Sequence, residues 1–406
     1  MNPNYTKIFA DELARLEQNK TFKYEVPLEG PQDGTVIVGG KKVVMLASNN
    51  YLGLANHPKI NEAAKKGLEE FGNGISSVRF ICGTQTIHKE LEAKISKFVG
   101  TEDTILFLSC FSANEGFFAS LTNEACGYED WKDVLYSDQY NHASIIDGQR
   151  LCNRKRTDKK VYPHGDMEKL IEMLEEDKDK DYRFKIIATD GIFSMEGYLA
   201  KLPELVAIAK KYGAMLFMDD SHGMGAIGET GKGTAEACGV WGEIDVVTGT
   251  LGKALGGAAG GFISGKKEMV TFLRQKSRPY TFSNSLPPSL VYAASAAFDL
   301  LENDSSFVTR LEENTAYFRK EMVNLGFTIL EGKHPIVPVM LGEAPLAQDM
   351  SNELLKEGVY IKGLWFPVVP RGMARLRTQI SAALTRENLD FTLEAFSKVG
   401  KRMNVI

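Results

Sequence analysis

The sequence has few cysteines, and their spacing excludes a disulfide scaffold or a zinc ribbon. Five cysteines are scattered through 406 residues and none belongs to a C-x-x-C pair. Such frameworks depend on closely spaced pairs, so the pattern predicts free thiols in a reducing compartment and no metal site. The five are Cys82, Cys110, Cys126, Cys152 and Cys238.

Long apolar runs and a large excess of charge are also missing. No stretch reaches the roughly eighteen consecutive apolar residues of a membrane-spanning helix. The formal net charge of -5 gives no reason to expect nucleic acid or an anionic membrane as a partner. The first twenty residues predict an amphipathic polar helix without the apolar centre of a secretion signal. We therefore expect a cytoplasmic protein.

The middle of the chain alternates short apolar runs with amphipathic segments. Between the runs lie predicted helices, one of which begins at Pro203 and ends before Gly213. This alternation predicts an α/β fold whose mostly parallel sheet is covered by helices on both faces. The runs that predict buried strands are 104–109, 134–138, 185–190, 215–220 and 245–250.

The length of the chain is too great for one ordinary core, so we expect more than one domain. The N-terminal helix and an extended segment are predicted to span 1–55. A large domain is predicted over 56–288. Polar residues and two prolines then interrupt the pattern, and a smaller α+β domain is predicted over 289–406.

Polar side chains follow each predicted strand, where parallel strands share one edge of a sheet. In chain order they are a helix start at Cys110, then His142, Ser194, Asp219, His222, Thr250 and Lys253. Pyridoxal phosphate (PLP) requires a lysine for its aldehyde, a helix start and hydroxyls for its phosphate, and a carboxylate for its ring nitrogen. The set therefore predicts a PLP site with Lys253, Asp219 and, stacked on the ring, His142. Ser194 and His222 are placed to hydrogen-bond the phenolic oxygen.

Two glycine-rich stretches have competing interpretations. Lys253 lies in GTLGKALGG, but Ala254 follows it where a phosphate loop needs Ser or Thr. GMGAIG, from Gly223 to Gly228, matches a dinucleotide motif, yet DDSH separates it from the strand and no helical pattern follows. A nicotinamide oxidoreductase and a non-catalytic cofactor-binding regulator remain as alternatives. One histidine or aspartate by itself is more often structural, and the joint placement favours the PLP site.

Seven stretches spread over nearly the whole chain establish a family resemblance. They are NNYLGLANHP, SSVRFICGTQTIHKELE, NHASIIDGQRL, TDGIFSMEG, DDSHGMGAIGETGKG, TGTLGKALGG and RQKSRPYTFSNSLPP. With them the sequence resembles the α-oxoamine synthases, a family of fold-type I PLP enzymes. The resemblance implies a large domain with a mostly parallel, seven-stranded type of sheet and a smaller α+β C-terminal domain.

The same resemblance implies an activity. It points to an acyltransferase that condenses glycine with acetyl-CoA to 2-amino-3-oxobutanoate and CoA, or runs in reverse during threonine degradation. The alternative within the family is a decarboxylating member, either 8-amino-7-oxononanoate synthase or serine palmitoyltransferase.

The resemblance also implies roles for individual residues. Lys253, Asp219, His142, Ser194 and His222 take the roles given above, and further cofactor contacts are implied for Cys110, Phe111, Thr250, Ser283 and Asn284. Ser283 and Asn284 would come from the partner subunit, which implies a homodimer with shared active sites. At the substrate, the resemblance implies Asn50, His142 and Arg377.

Two features of the C-terminal part bear on the substrate residues. Arg375 and Arg377 fall on the same face of a predicted strand, so alternation alone does not choose between them. The resemblance selects Arg377 for the substrate carboxylate. Leu384 stands where members of the family commonly have histidine, so any polar role there is lost.

Overall fold

The structure, a computed structural model, describes residues 3–406. Its helices are α1 (Pro3–Gln18), α2 (Pro58–Phe71), α3 (Thr86–Val99), α4 (Cys110–Asn123), α5 (Ala143–Arg150), α6 (Met167–Glu176), α7 (Leu202–Tyr212), α8 (Thr234–Ala237), α9 (Lys267–Lys276), α10 (Arg278–Thr281), α11 (Pro288–Asn303), α12 (Ser306–Asn324), α13 (Ala344–Lys356) and α14 (Arg386–Arg402). Its strands are β1 (Thr35–Val38), β2 (Lys41–Met45), β3 (Asp103–Phe107), β4 (Asp133–Asp138), β5 (Thr157–Tyr162), β6 (Phe184–Asp190), β7 (Ile192–Phe193), β8 (Tyr198–Leu199), β9 (Met215–Asp219), β10 (Val246–Thr250), β11 (Gly261–Gly265), β12 (Ile336–Gly342), β13 (Val359–Tyr360), β14 (Gly363–Leu364) and β15 (Ala374–Gln379).

The chain divides into two compact units. The larger contains Leu54–Ser194 and Tyr198–Thr309, and the smaller contains the segment up to Gly53 together with Met195–Gly197 and Arg310–Ile406. The sequence placed the change of domain at residue 289, whereas the larger unit continues to Thr309. It does so because α11 packs against α2 and α3, which belong to that unit.

A seven-stranded sheet forms the centre of the larger unit. Its strand order is β3-β11-β10-β9-β6-β4-β5. All neighbours are parallel except β11, which is antiparallel to β3 and β10. This is the mostly parallel α/β sheet that the sequence predicted. Because β4, β6, β9 and β10 are parallel, the polar residues after them come out at the same edge.

Three phenylalanines determine how α4 lies on this sheet. Phe117 and Phe118 are fully buried, and both rings lie 4.8 Å from the ring of Phe217 on β9. Asn114 precedes them by three and four positions and so shares their face of the helix, while Asp219 follows Phe217 by two positions and shares its face of the strand. Burying these rings therefore brings Asn114 to Asp219.

The smaller unit contains two three-stranded sheets. One has the order β1-β2-β13 and packs a small core around Val36, Val43, Met45 and Tyr360. The other has the order β12-β15-β14 and is antiparallel throughout. Leu384 is buried after this sheet, and its backbone oxygen accepts a hydrogen bond from Asn314. The leucine thus serves as a core residue.

Several sequence predictions agree with these elements. The predicted N-terminal helix is α1, and the helix predicted to begin at Pro203 and end before Gly213 is α7. Within residues 3–406, no helix combines the length and apolar character needed to cross a membrane.

Candidate active site

Lys253 lies directly beyond β10 and contacts a histidine that follows β9. Its Nζ is 2.8 Å from Nε2 of His222. Both side chains belong to the larger unit. His222 is buried and Lys253 is half-buried. The lysine therefore lies within the polar edge of the sheet, where an amine next to a hydrogen-bonding imidazole can act on a carbonyl carbon or move a proton.

Asp219 is a buried carboxylate held by three donors. Its Oδ2 accepts hydrogen bonds from Nδ2 of Asn114 at 2.7 Å and from the Cys110 thiol at 3.5 Å. Its Oδ1 accepts the backbone N–H of Ser221 at 3.0 Å. Burial and the Asp219 charge raise the pKa of the Cys110 thiol well above its usual value. Cys110 is therefore a neutral donor to the carboxylate and not a reactive thiolate.

His142 caps the first turn of α5 through its own ring. Its Nδ1 accepts the backbone N–H of Ser144 at 3.2 Å and lies 2.8 Å from the Ser144 hydroxyl. That hydroxyl is also 2.8 Å from Nδ2 of Asn114. A chain of side-chain hydrogen bonds thus connects His142 with Asp219, two residues that the sequence assigned to one site.

Asp190 lies beside Asp219, because the two residues are register partners on β6 and β9. Its Oδ2 accepts the backbone N–H of His142 at 2.7 Å. Burial and the neighbouring Asp219 charge raise the pKa of Asp190 well above its usual value, and the Lys253 ammonium opposes them.

The start of α4 offers backbone N–H groups at the same edge. Ser109 caps the helix by accepting the backbone N–H of Ser112, and Cys110 and Phe111 form the first turn. Phe111 is partly exposed, and its ring lies 6.4 Å from the His142 ring. A helix start with donors that face outward is a natural site for an anion.

Thr250 ends β10 next to Lys253. Its hydroxyl donates to the backbone oxygen of Gly260 at 3.2 Å and accepts the backbone N–H of Gly252 at 3.1 Å. These bonds shape the loop that carries Lys253.

The loop after Asp219 is folded around a second buried carboxylate. Asp220 accepts the backbone N–H of Thr234 at 2.9 Å and the Thr234 hydroxyl. A Cβ on Gly223 would lie 2.0 Å from Oδ1 of Asp220, so only glycine fits this close approach. Residues 221–233 form turns, and no helix begins within GMGAIG. The glycines therefore enclose Asp220, and the helix start that a dinucleotide site requires is absent from this loop.

Three further predicted cofactor residues belong to the larger unit. Ser194 is half-buried and follows β7. Ser283 and Asn284 lie between α10 and α11, where Asn284 forms an isolated bridge with Val78. The contacts of these three residues with a cofactor stay predictions.

Two of the three predicted substrate residues, Asn50 and Arg377, belong to the smaller unit, whereas His142 belongs to the larger one. Arg375 is fully buried, and its Nη1 donates to Met195 O at 2.9 Å and to Glu196 Oε1 at 3.1 Å. Arg377 is half-buried, and desolvation lowers its pKa while Tyr51 and Glu196 oppose this. The structural role of Arg375 supports the choice of Arg377 for a ligand.

Asn50 is buried close to the same sheet of the smaller unit. Its backbone oxygen accepts the Ser381 hydroxyl at 2.6 Å, and its backbone N–H donates to Ser48. These bonds connect the segment around Asn50 to the chain that follows β15.

Sequence reasoning missed Asn114, Ser144 and Asp190. An asparagine shortly after the predicted helix start at Cys110 is unusual because asparagine is a poor helix former, and this was the one signal that the sequence offered. The residues around ANEG and NHAS carry no other pattern. Within residues 3–406, no group of three or more His, Cys, Asp or Glu side chains is arranged to hold a metal ion.

Comparison with known proteins places this geometry in a family. The model of the family "Aminotransferase class I and II" matches residues 41–396. The 2-amino-3-ketobutyrate coenzyme A ligase of Escherichia coli K12 is 46% identical, with 100% of both chains covered. An 8-amino-7-oxononanoate synthase of Thermosipho melanesiensis is 45% identical over 98% of this chain and 99% of its own.

A solved structure agrees with the sequence relatives. A serine palmitoyltransferase from S. paucimobilis, solved with a bound PLP-myriocin aldimine, has a TM-score of 0.91 and 30% identity, and 100% of each chain is covered. The family model, the full-length similarity and the shared fold agree, and the chain belongs to the aminotransferase class I and II family, in its α-oxoamine synthase branch.

Proposed function

We propose that the chain is a PLP-dependent acyltransferase that condenses glycine with acetyl-CoA to form 2-amino-3-oxobutanoate and CoA. The observation that supports it most is the hydrogen bond between the Lys253 amine and His222. It lies at the edge of the sheet that also carries the buried Asp219, which accepts three hydrogen bonds. The full-length similarity to 2-amino-3-ketobutyrate coenzyme A ligase supports the choice of substrates. The reverse reaction would serve threonine degradation.

The donor set of the larger unit fits PLP. Lys253 would bond the aldehyde carbon, and Asp219 would accept a hydrogen bond from the protonated ring nitrogen and so keep the proton there. The first turn of α4 at Cys110 and Phe111, with Thr250, would hold the phosphate. His142 would lie against the ring, with Ser194 and His222 at the phenolic oxygen. When bound, PLP supplies an electron sink for the charge that develops on the α-carbon of the amino acid.

The chain's own residues would bind the substrate and move its protons. Arg377 would pair with the glycine carboxylate, a planar partner for the guanidinium group, and Asn50 would lie near the acyl group. The Lys253 amine would remove a proton from the glycine α-carbon, with His222 as its hydrogen-bonding partner. His142 would donate to the thioester oxygen of acetyl-CoA while the acyl group is transferred and CoA leaves.

Assembly and location complete the proposal. A homodimer is proposed in which Ser283 and Asn284 serve the partner subunit's site. A cytoplasmic location is proposed because the cysteines within residues 3–406 are free, as expected in a reducing compartment.

The lysine assignment is tested with a matched pair of variants. Lys253→Ala should abolish both thiol release from acetyl-CoA and the visible absorbance of the PLP-loaded protein. Lys210→Ala is the control, because Lys210 is exposed and paired with Glu243 on the surface. Retention of absorbance and turnover in Lys253→Ala would contradict the proposal.

A decarboxylating reaction is the second candidate, since 8-amino-7-oxononanoate synthase is nearly as similar. Purified protein is mixed with glycine, alanine or serine and a series of acyl-CoAs, and thiol and carbon dioxide release are followed together. We expect thiol release with glycine and acetyl-CoA and no carbon dioxide. Stoichiometric carbon dioxide from alanine or serine with a longer acyl-CoA would favour the second candidate.

A further inference from the structure

We infer that Asn114 is a positioning residue that orients Asp219 and, through Ser144, the ring of His142. The inference rests on the proposed function, because that function gives Asp219 and His142 their roles. The Asn114 side chain is fully buried, and Nδ2 lies 2.7 Å from Asp219 Oδ2 and 2.8 Å from Ser144 Oγ. One amide group therefore contacts both halves of the site.

The chemistry of the amide determines which way it faces. An asparagine amide has two N–H donors on its nitrogen and none on its oxygen. The flipped orientation would place the amide oxygen against the Asp219 carboxylate, where two acceptors would repel each other. Both hydrogens are therefore committed, one to Asp219 and one to Ser144.

This commitment determines the role of the Ser144 hydroxyl. Because the hydroxyl oxygen accepts from Asn114, its single proton remains for Nδ1 of His142, 2.8 Å away. The same Nδ1 accepts the backbone N–H of Ser144. A ring nitrogen that accepts hydrogen bonds carries no proton of its own, so the proton of neutral His142 is on Nε2.

The tautomer has a consequence for the reaction. With its proton on Nε2, His142 donates to a substrate oxygen at that atom and does not remove a proton there. The single amide group of Asn114 thus orients both Asp219, the proposed partner of the ring nitrogen, and His142, the proposed donor to the acyl oxygen. Neither Asn114 nor Ser144 touches the substrate in this proposal, so both are positioning residues.

Packing between α4 and α5 makes the contact possible. Ser144 and Gly148 share one face of α5, four positions apart. A Cβ on Gly148 would lie 3.0 Å from the backbone oxygen of Asn114 and 3.1 Å from the Phe118 ring. Glycine at 148 therefore lets the two helices approach until Ser144 reaches Asn114.

The test combines two variants with two controls. Ser144→Ala removes the hydroxyl contact with His142, and Asn114→Ala removes both arms, with Asn114→Ser as a second variant should the alanine form fold poorly. Ser120→Ala and Asn123→Ala are the controls, because their side chains bond only to nearby backbone oxygens. The proteins are labelled with 15N in their histidine rings, and the His142 signals are identified by their loss in His142→Gln.

We expect the natural protein to show His142 with a bare Nδ1 and a protonated Nε2. In Ser144→Ala the Nδ1 signal should move, PLP affinity should stay the same, and kcat/KM for acetyl-CoA should fall about tenfold; Ser144→Thr should restore it. In the Asn114 variants PLP affinity should also fall, by about tenfold or more, because a hydrogen bond to a charged group is lost.

Two results would overturn the inference. One is a protonated Nδ1 on His142 in the natural protein, and the other is a Ser144→Ala protein whose ring signals and kcat/KM match those of Ser120→Ala. The ring signals need no substrate, so they decide the inference separately. Absence of thiol release by the natural protein would instead contradict the proposed function.

Discussion

Asp219 and Asp220 are adjacent at the end of β9, and both are almost completely buried, yet different kinds of residues surround them. Asp219 is held by the Asn114 and Cys110 side chains from α4 and by the backbone N–H of Ser221. Asp220 points to the opposite side of the strand, where it bonds to Thr234 and is enclosed by Gly191, Gly223 and Gly233. Successive residues of a strand face opposite ways, which separates the two carboxylates.

The comparison teaches that burial alone does not identify a functional carboxylate. At Gly191, Gly223 and Gly233 the space beside the Asp220 carboxylate is too small even for a methyl group, so these sides leave no room for a ligand. Asp219 accepts its hydrogen bonds from α4 and from the Ser221 backbone, and it ends the strand next to the one that Lys253 follows. Under the proposed function, changes at Asp219 should affect catalysis, and changes around Asp220 should affect stability.

The largest expected effect comes from Asp219→Asn. The amide does not hold a proton on the ring nitrogen of PLP as a carboxylate does, so kcat should fall about 10²- to 10³-fold. Steady-state kinetics and the visible spectrum of the PLP-loaded protein measure this. Asp220→Asn should keep most of the activity. If both variants lost kcat equally, the conclusion that only Asp219 serves catalysis would be wrong.

A second pair of like residues sharpens the comparison on β15. Arg375→Ala should lower the free energy of unfolding by about 3 kcal/mol, because it leaves the buried Glu196 without its ion-pair partner. Arg377→Lys should raise KM for glycine about tenfold with little change in stability, since lysine does not form a bidentate pair. Urea unfolding and glycine titrations measure both. An unchanged KM in Arg377→Lys would contradict the carboxylate role.

Gly223→Ala tests the enclosure of Asp220 directly. The added methyl group would lie 2.0 Å from Asp220 Oδ1 and 2.3 Å from Thr234 Oγ1. We expect about 2 kcal/mol of destabilisation from this overpacking, measured by urea unfolding. Gly74→Ala is the control, because nothing lies within 4 Å of a Cβ at that position. Equal stability of the two variants would show that the enclosure is not tight.

The last prediction concerns how the charge of Asp220 makes the stability depend on pH. Burial raises its pKa to about 7, so between about pH 4 and about pH 7 the unfolded chain has lost this proton and the folded chain keeps it. Its contribution to stability is therefore complete below the unfolded pKa and is lost as the pH rises through the folded pKa, by at most about 1.4 kcal/mol per pH unit. Asp220→Asn, whose amide still bonds Thr234, should lack this slope. If the unfolding free energies of the natural protein and of Asp220→Asn changed with pH in the same way, this prediction would be wrong.

The central strands and the family were predictable because their signals are local. Apolar runs predicted β3, β4, β6, β9 and β10 to within one or two residues at each end. The runs did not predict β5, an edge strand in which Asp158, Lys159 and Val161 are exposed, or β11, which is five residues long and bounded by glycines. Edge strands and short glycine-bounded strands lack the continuous apolar pattern of buried strands.

The candidate site was predictable only in part. Lys253, His222, Asp219 and His142 follow strands, and a parallel sheet brings strand ends together. Asn114 and Ser144 lie inside helices, and no rule of spacing relates them to residues about 30 or 105 positions away.

The sequence by itself determined the fold class, the family and the polar residues at the strand ends, because helix and strand periods and motif letters are read along the chain. Only the tertiary structure decided that Asn114 joins Asp219 to His142, that Arg375 is occupied by Glu196, and that two neighbouring aspartates differ. These outcomes depend on how helices and loops pack over the sheet, and that packing involves side chains distant in sequence.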